Sequence, residues 1–219
     1  IDKVESTQYA LLLSGSAVKG YFGNSSCSGG TAKANEWSYV SVAWDGAYIR
    51  CYLNGNQVAQ TAYSTALTPQ DTSLYIGSDG GAASWFKGLI DEPKLYQYPH
   101  SPVQIKKDYN DGLVMAAGAF DGGQNAQSGL IGWWKMDEAT TTWDGTGDRV
   151  NDYSGLGNHG TASGSAHATT TAQYGNAAEF DGTDDFVTLP AAATVAGLSK
   201  VTINSWVRLR SLSQTSCIY

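Results

Sequence analysis

The acidic pairs Asp91-Glu92 and Asp184-Asp185, with the three histidines His100, His159 and His167, are candidates for moving protons or activating a nucleophile. Retaining cleavage of a glycosidic bond needs two carboxylates about 5 to 5.5 Å apart across the bond. On one strand such groups would recur at alternate positions, as Glu-x-Asp-x-Glu, and the sequence holds no such triplet. Neighbouring strand residues point to opposite faces, so neither acidic pair is expected to converge on one substrate. The histidines are scattered, with no nucleophile at a suggestive spacing.

Oxygen-rich loops suit another chemistry. Ca²⁺ takes six to eight hard oxygens from carboxylates, amides and backbone carbonyls. Residues 151–158 (NDYSGLGN), 181–185 (DGTDD) and 91–92 could supply them. The same Asp and Asn residues also form turns by bonding their own backbone, and both readings stand at this level. Aromatic faces offer a third chemistry, stacking on the C–H faces of pyranose rings while nearby Asp and Asn bond the hydroxyls. Most of the seven tryptophans are expected to be structural: Trp37, Trp134 and Trp206 occupy strand positions, while Trp44 and Trp133 are open to either face. Trp85 and Trp143 lie beside Gly-rich or polar loops. With Tyr48 and Asp79 they are the candidate ligand-binding residues, against the plainer alternative that they cap loops or plug a sheet edge.

These groups must be positioned by strands. Residues 8–13 and 17–22 read as a hairpin, followed by a polar loop with the glycosylation pattern Asn24-Ser25-Ser26. Residues 37–44, 47–53 and 57–63 are alternating runs separated by Asp45-Gly46 and Asn54-Gly55, strong hairpin signals. Residues 73–76 and 85–96 continue the strand pattern. Ser101-Pro102 opens a short helix to about Tyr109, in which Val103, Ile105 and Tyr109 are expected to pack on the sheet. Residues 113–129 read as a linker. Strands resume at 131–136, 177–180, 186–189 and 201–209, and residues 137–175 read as a long polar surface loop.

The composition agrees with an all-β chain: 219 residues, 26 glycines, 13 tyrosines and 7 tryptophans, with 15% charged residues. A net charge of −7 argues against nucleic acid, whose phosphates need clustered Lys and Arg. No apolar run reaches the ~18 residues of a membrane span. The missing initiator Met suggests a processed or excised chain. Cys27, Cys51 and Cys217 cannot all pair internally. Cys51 reads as a small buried hydrophobe, and a Cys27–Cys217 bridge is left open.

The runs EWSYVSVAWDGAYIRCYLNGNQV and LYIGSDGGAASWFKGLIDEPKLYQYPHSPVQIKKDYNDG resemble the second half of a laminin G-like domain of the concanavalin A-like lectin/glucanase superfamily. GWWKMDEA, DYSGLGNHGT, AAEFDGTDDFVTLP and VTINSWVRL resemble its first half. The halves stand in permuted order. Residues 1–112 would supply the second half and 130–219 the first, together one domain, either by internal closure or by a cut across a tandem repeat. The resemblance implies an antiparallel jelly-roll β-sandwich with one short helix. It also implies a structural Ca²⁺, with ligand roles carried to Asp152, Asn158, Asp181 and Asp91. The function expected is a non-catalytic, secreted or cell-surface recognition or adhesion module binding carbohydrate or a glycoprotein. Alternatives are a structural repeat contacting its own neighbours by self-association or domain swapping, and a glycoside hydrolase of the glucanase branch. Nucleic acid and membrane insertion are not expected.

Overall fold

The computed structural model describes residues 9–67, 73–110, 129–138, 143, 147–193, 198 and 200–219. The strands are β1 (Tyr9–Ser14), β2 (Ala17–Phe22), β3 (Ser25–Gly29), β4 (Ser38–Trp44), β5 (Tyr48–Leu53), β6 (Asn56–Ala62), β7 (Leu74–Ile76) and β8 (Lys87–Tyr96). After helix α1 (Pro102–Asn110) come β9 (Leu130–Trp133), β10 (Arg149–Val150), β11 (Gly160–Ser163), β12 (His167–Thr169), β13 (Ala177–Asp181), β14 (Phe186–Leu189), β15 (Val201–Leu209) and β16 (Thr215–Cys217). The fold is an all-β antiparallel sandwich of the jelly-roll kind.

One layer is an eight-stranded sheet, ordered β12-β13-β8-β15-β4-β5-β6, with β9 also paired to β8. The other contains two four-stranded sheets, β10-β11-β14-β7 and β16-β1-β2-β3. Their edges meet where Gly77 N–H donates to Ile218 O at 3.2 Å and Cys217 N–H donates to Ser84 O at 2.8 Å. The last strand lies beside the first, with Leu12 opposite Cys217 and Tyr219 N–H donating to Leu11 O. Residues 1–8 and the expected linker, apart from Gly129, lie outside the described residues.

Period-two alternation sorts the two faces of β4. Val40, Val42 and Trp44 enter the core between the layers, whereas Tyr39 and Ala43 join an outer aromatic cluster with Tyr52, Ile105 and Trp206. Both hairpin signals close turns as their residue types require. Asp45 Oδ1 accepts from Ala47 N–H at 2.9 Å and Tyr48 N–H at 2.7 Å. Asn54 and Gly55 both have positive φ, as a primed turn demands.

Helix α1 begins with a reciprocal cap, Gln104 N–H to Ser101 Oγ at 3.3 Å and Ser101 N–H to Gln104 Oε1 at 2.8 Å. Ile105 is buried and Tyr109 stacks on Trp206 with centroids 5.5 Å apart. Val103 instead stays 71% exposed. Residues two apart on a helix do not share a face, so it could not pack alongside Ile105.

Three further expectations are corrected. The polar stretch 137–175 contains β10, β11 and β12, and the polar loop after β2 contains β3. β3, β11 and β12 are built mostly from Gly, Ser, Thr and Ala, and β10 is only the pair Arg149–Val150, so backbone pairing rather than bulky alternation defines them. Cys51 is buried, but it forms a disulfide with Cys27, Cα atoms 6.0 Å apart, joining β3 to β5; Cys217 is free and buried. Removing the bridge as Cys27→Ala/Cys51→Ala, which releases a closed loop between residues 24 positions apart, should cost about 3 kcal/mol in denaturant unfolding.

Candidate functional site

A half-buried aromatic platform lies on β7, β14 and the loop between β7 and β8. Phe186 is its centre, with Tyr75 at 5.8 Å and Trp85 at 5.9 Å between centroids, tilted by 56° and 35°. The rings form a faceted surface, and none is fully buried. The loop carrying Trp85 is folded on itself. Asp79 N–H donates to Ala83 O at 2.8 Å, Asp79 O accepts from Ala82 N–H at 3.1 Å, and Gly81 N–H donates to Ser78 Oγ at 3.0 Å. Gly77 starts it at φ +92°, where a Cβ would lie 2.5 Å from the Phe180 ring. The Trp85 carbonyl accepts from Gln214 Nε2 at 3.1 Å. Partial burial pushes the Asp79 carboxyl above its ordinary range.

The β13–β14 turn leads into the same platform, since Phe186 follows Asp185 directly. Asp181, Asp184 and Asp185 each offer an oxygen within 4.8 Å of the others. Asp185 is buried. Its Oδ2 accepts from Asp181 N–H at 2.7 Å, and its Oδ1 accepts from Ser165 N–H at 2.5 Å and Ser165 Oγ at 3.2 Å. Asp181 Oδ1 accepts from Thr183 N–H at 2.7 Å. Hard carboxylate oxygens on a tight turn are the donor set that Ca²⁺ prefers.

Asp91 and Asp152 are not part of that grouping. Asp152 organises the 152–158 turn. Its Oδ1 accepts from Trp133 and Ser154 N–H at 3.0 and 2.8 Å, and its Oδ2 from Ser154 Oγ and Asn158 N–H at 2.7 and 2.9 Å. Although burial opposes ionisation, the sum of these donors holds the carboxyl below its usual range. Asn158 donates through Nδ2 to Ile131 O at 2.8 Å, and its own carbonyl accepts from Trp134 Nε1 at 2.9 Å. These bonds hold the 152–158 turn against the β9 segment.

Asp91 is fully buried on the outer side of the eight-stranded sheet. Its Oδ2 accepts from Tyr174 and Gln173 N–H at 2.8 and 3.0 Å, while Oδ1 has no hydrogen-bond partner among the described residues. Burial first, then the charges of Glu92 and Asp137, push its carboxyl up to about 8. The expectation that Asp91 and Glu92 point apart is overturned. Glu92 has φ +53°, and the β8–β15 register shifts beside it. The Glu92 carboxylate reaches Trp133 Nε1 and, at 3.2 Å, Lys94 Nζ; the Lys94 backbone pairs with Asn204 on the outer face. Both acids thus lie on one side, buried beneath their partners.

Trp143 is fully buried in the core and presents no ring face to a loop surface. Tyr48 is 39% exposed on β5, with the Arg50 guanidinium 5.2 Å from its ring, on the opposite layer from the Tyr75–Trp85–Phe186 platform. Trp85 and Asp79 share one loop. Tyr75, Phe186, Asp184 and Asp185 complete the site, and only the acidic turn motif pointed to the last two. Trp134 is buried in the core, Trp206 in the outer cluster, and Trp37 is partly buried against it.

The architecture is a jelly-roll β-sandwich. Residues 4–106 match the family model of the Concanavalin A-like lectin/glucanases superfamily. No curated protein and no solved structure matches the chain. Among the described residues no helix is long and apolar enough to cross a membrane.

The Asp91 carboxyl gives a pH signature. Its folded value of about 8 lies above the ordinary 3.8, so between these limits the native state binds more protons than the unfolded chain. Its contribution is complete below about pH 4 and is lost as pH rises through 8. Melts across this range should show Asp91→Asn with a flatter profile and a higher Tm at pH 8 than wild type.

Proposed function

We propose that the protein is a non-catalytic extracellular recognition module that binds carbohydrate, free or on a glycoprotein, at the Tyr75–Trp85–Phe186 platform beside Asp79. The observation that carries this reading is three contiguous, half-buried rings next to an acidic turn. An apolar core would have enclosed such rings; a sugar-binding rim leaves them partly open, with carboxylates at hand for hydroxyls. The Cys27–Cys51 disulfide favours an oxidising, extracellular setting.

A structural Ca²⁺ is assigned in this reading to Asp181, Asp184 and Asp185 in place of the set carried over by resemblance, of which only Asp181 is retained. Its role would be to pin the β13–β14 turn and so hold Phe186 in the platform. The hydrolase alternative has one observation in its favour, the coupling of Asp91, raised to about 8, with Glu92. Against it, both residues are buried, and each carboxylate accepts from protein donors.

On titration with soluble polysaccharides, tryptophan fluorescence should shift. Trp85→Ala should weaken binding by on the order of tenfold. A blank glycan array, with chain association seen by light scattering, would favour a structural repeat instead. Saturating Ca²⁺ should stabilise the wild type against chelator by a few kcal/mol, and Asp184→Ala should remove that difference. Identical melts with and without chelator would exclude the ion.

A further inference from the structure

The outer face of β15 changes character along its length. Thr202, Asn204 and Trp206 are buried, with Thr202 Oγ1 accepting from His100 N–H at 2.7 Å and Trp206 under Tyr109 and Tyr174. The next positions on that face, Arg208 and Arg210, open onto a groove of about 230 Å³ lined also by Asn35, Leu89, Thr171 and Glu179. Leu89, 3% exposed, is its apolar floor. The segments carrying Asn35 and Thr171 also carry Trp37 and Tyr174, which pack with Trp206 beside it.

The charges in this groove are unevenly satisfied. Glu179 is paired with Arg210 and lies 3.8 Å from His167 Nε2. Arg208 donates its Nε to the Asn35 carbonyl at 2.9 Å, which fixes the guanidinium plane. Its two Nη groups have no protein partner among the described residues. That edge of a guanidinium is a planar fork matched to a carboxylate. Two arginines against one glutamate leave the groove with room for about one further negative charge. Its volume lies below the range typical of drug-sized sites and suits a single ring. The chain's net charge of −7 repels densely charged polymers at a distance, so one carboxylate fits better than a polysulfate.

We infer that this groove binds an acidic monosaccharide residue of a glycan, with its carboxylate on the Arg208 fork, its ring over Leu89 and its hydroxyls within reach of Asn35 and Thr171. The inference rests on the carbohydrate reading above but uses a different surface, on the opposite layer from the Trp85 platform. Glu179 sets selectivity: it neutralises Arg210 and opposes a second negative charge.

Calorimetric titration with D-glucuronate and D-glucose tests this. Glucuronate should bind at least tenfold more tightly than glucose. Arg208→Lys, which keeps the charge but loses the fork, should weaken glucuronate at least fivefold and leave Trp85-dependent binding unchanged. Glu179→Gln, which frees Arg210, should strengthen glucuronate severalfold, and it decides the matter if Arg208→Lys fails to fold. Tighter binding of N-acetylneuraminate than of glucuronate, with the same Arg208→Lys loss, would support the site and identify the acidic sugar. Equal affinity for glucose and glucuronate, no effect of Arg208→Lys in a protein that melts like wild type, or no gain with Glu179→Gln would each overturn it. If neutral glycans still shift Trp85 fluorescence in those cases, only the Arg208 site falls; silence towards every sugar removes both readings.

Discussion

Strand β8 is the constraint on which the rest depends. It pairs with β15 along one edge, and with β13 at Lys87–Ile90 and β9 at Lys94–Tyr96 along the other. All three partners come from residues beyond 129, so the backbone polar groups of this buried strand are met only when segments far apart in sequence assemble. The second edge is interrupted at Asp91, Glu92 and Pro93. Proline has no N–H for a ladder, Glu92 takes a positive φ, and the strand bulges there. This interruption places two carboxylates on one side of the sheet.

Polarity is distributed so that the two layers carry different chemistry. Between them the core is apolar and tightly closed, with Trp44, Trp134, Trp143 and Phe180 fully buried. The outer face of the eight-stranded sheet runs along β15 from buried Thr202 and Asn204, through Trp206 beside Asp91 and under Tyr109, to the Arg208 groove. The edge of the other layer holds the Phe186 platform and the acidic turn. The platform depends on close contacts as much as on its own rings, since Gly77 lies against Phe180 and Gly81 against Phe186. The turn positions Phe186, while Asp185 spends its oxygens on Ser165 and Asp181 backbone groups.

Much of the fold was legible because period-two alternation and turn chemistry are local. The hairpins at Asp45-Gly46 and Asn54-Gly55, the capped helix at Ser101-Pro102, and the long strands around Val42, Ile90 and Ile203 could all be read directly. The short strands around Cys27, Ala162 and Ala168 could not, because Gly, Ser, Thr and Ala carry little hydrophobic signal and pair through backbone alone. For the site, Trp85 and Asp79 were legible from the Gly-rich loop that holds them, and Asp181 from its turn. Trp143 was misplaced because a polar neighbourhood in sequence does not report burial. Asp152 and Asn158 hydrogen-bond to Trp133, and to Ile131 and Trp134, contacts with the β9 segment that no local pattern shows.

By itself the sequence determined the class of fold and the positions of its tight turns, because alternation and φ-demanding Gly and Asn need no knowledge of distant neighbours. Only the tertiary structure decided that Cys27 meets Cys51, that Asp91 and Glu92 share a side, and that Phe186 gathers Tyr75 and Trp85. It alone left the Arg208 fork open beside a paired Arg210. Each of these depends on sheet register, bulges or burial, several of them between segments more than a hundred residues apart. Such distances are set by the packing of the whole sandwich, which no local pattern encodes.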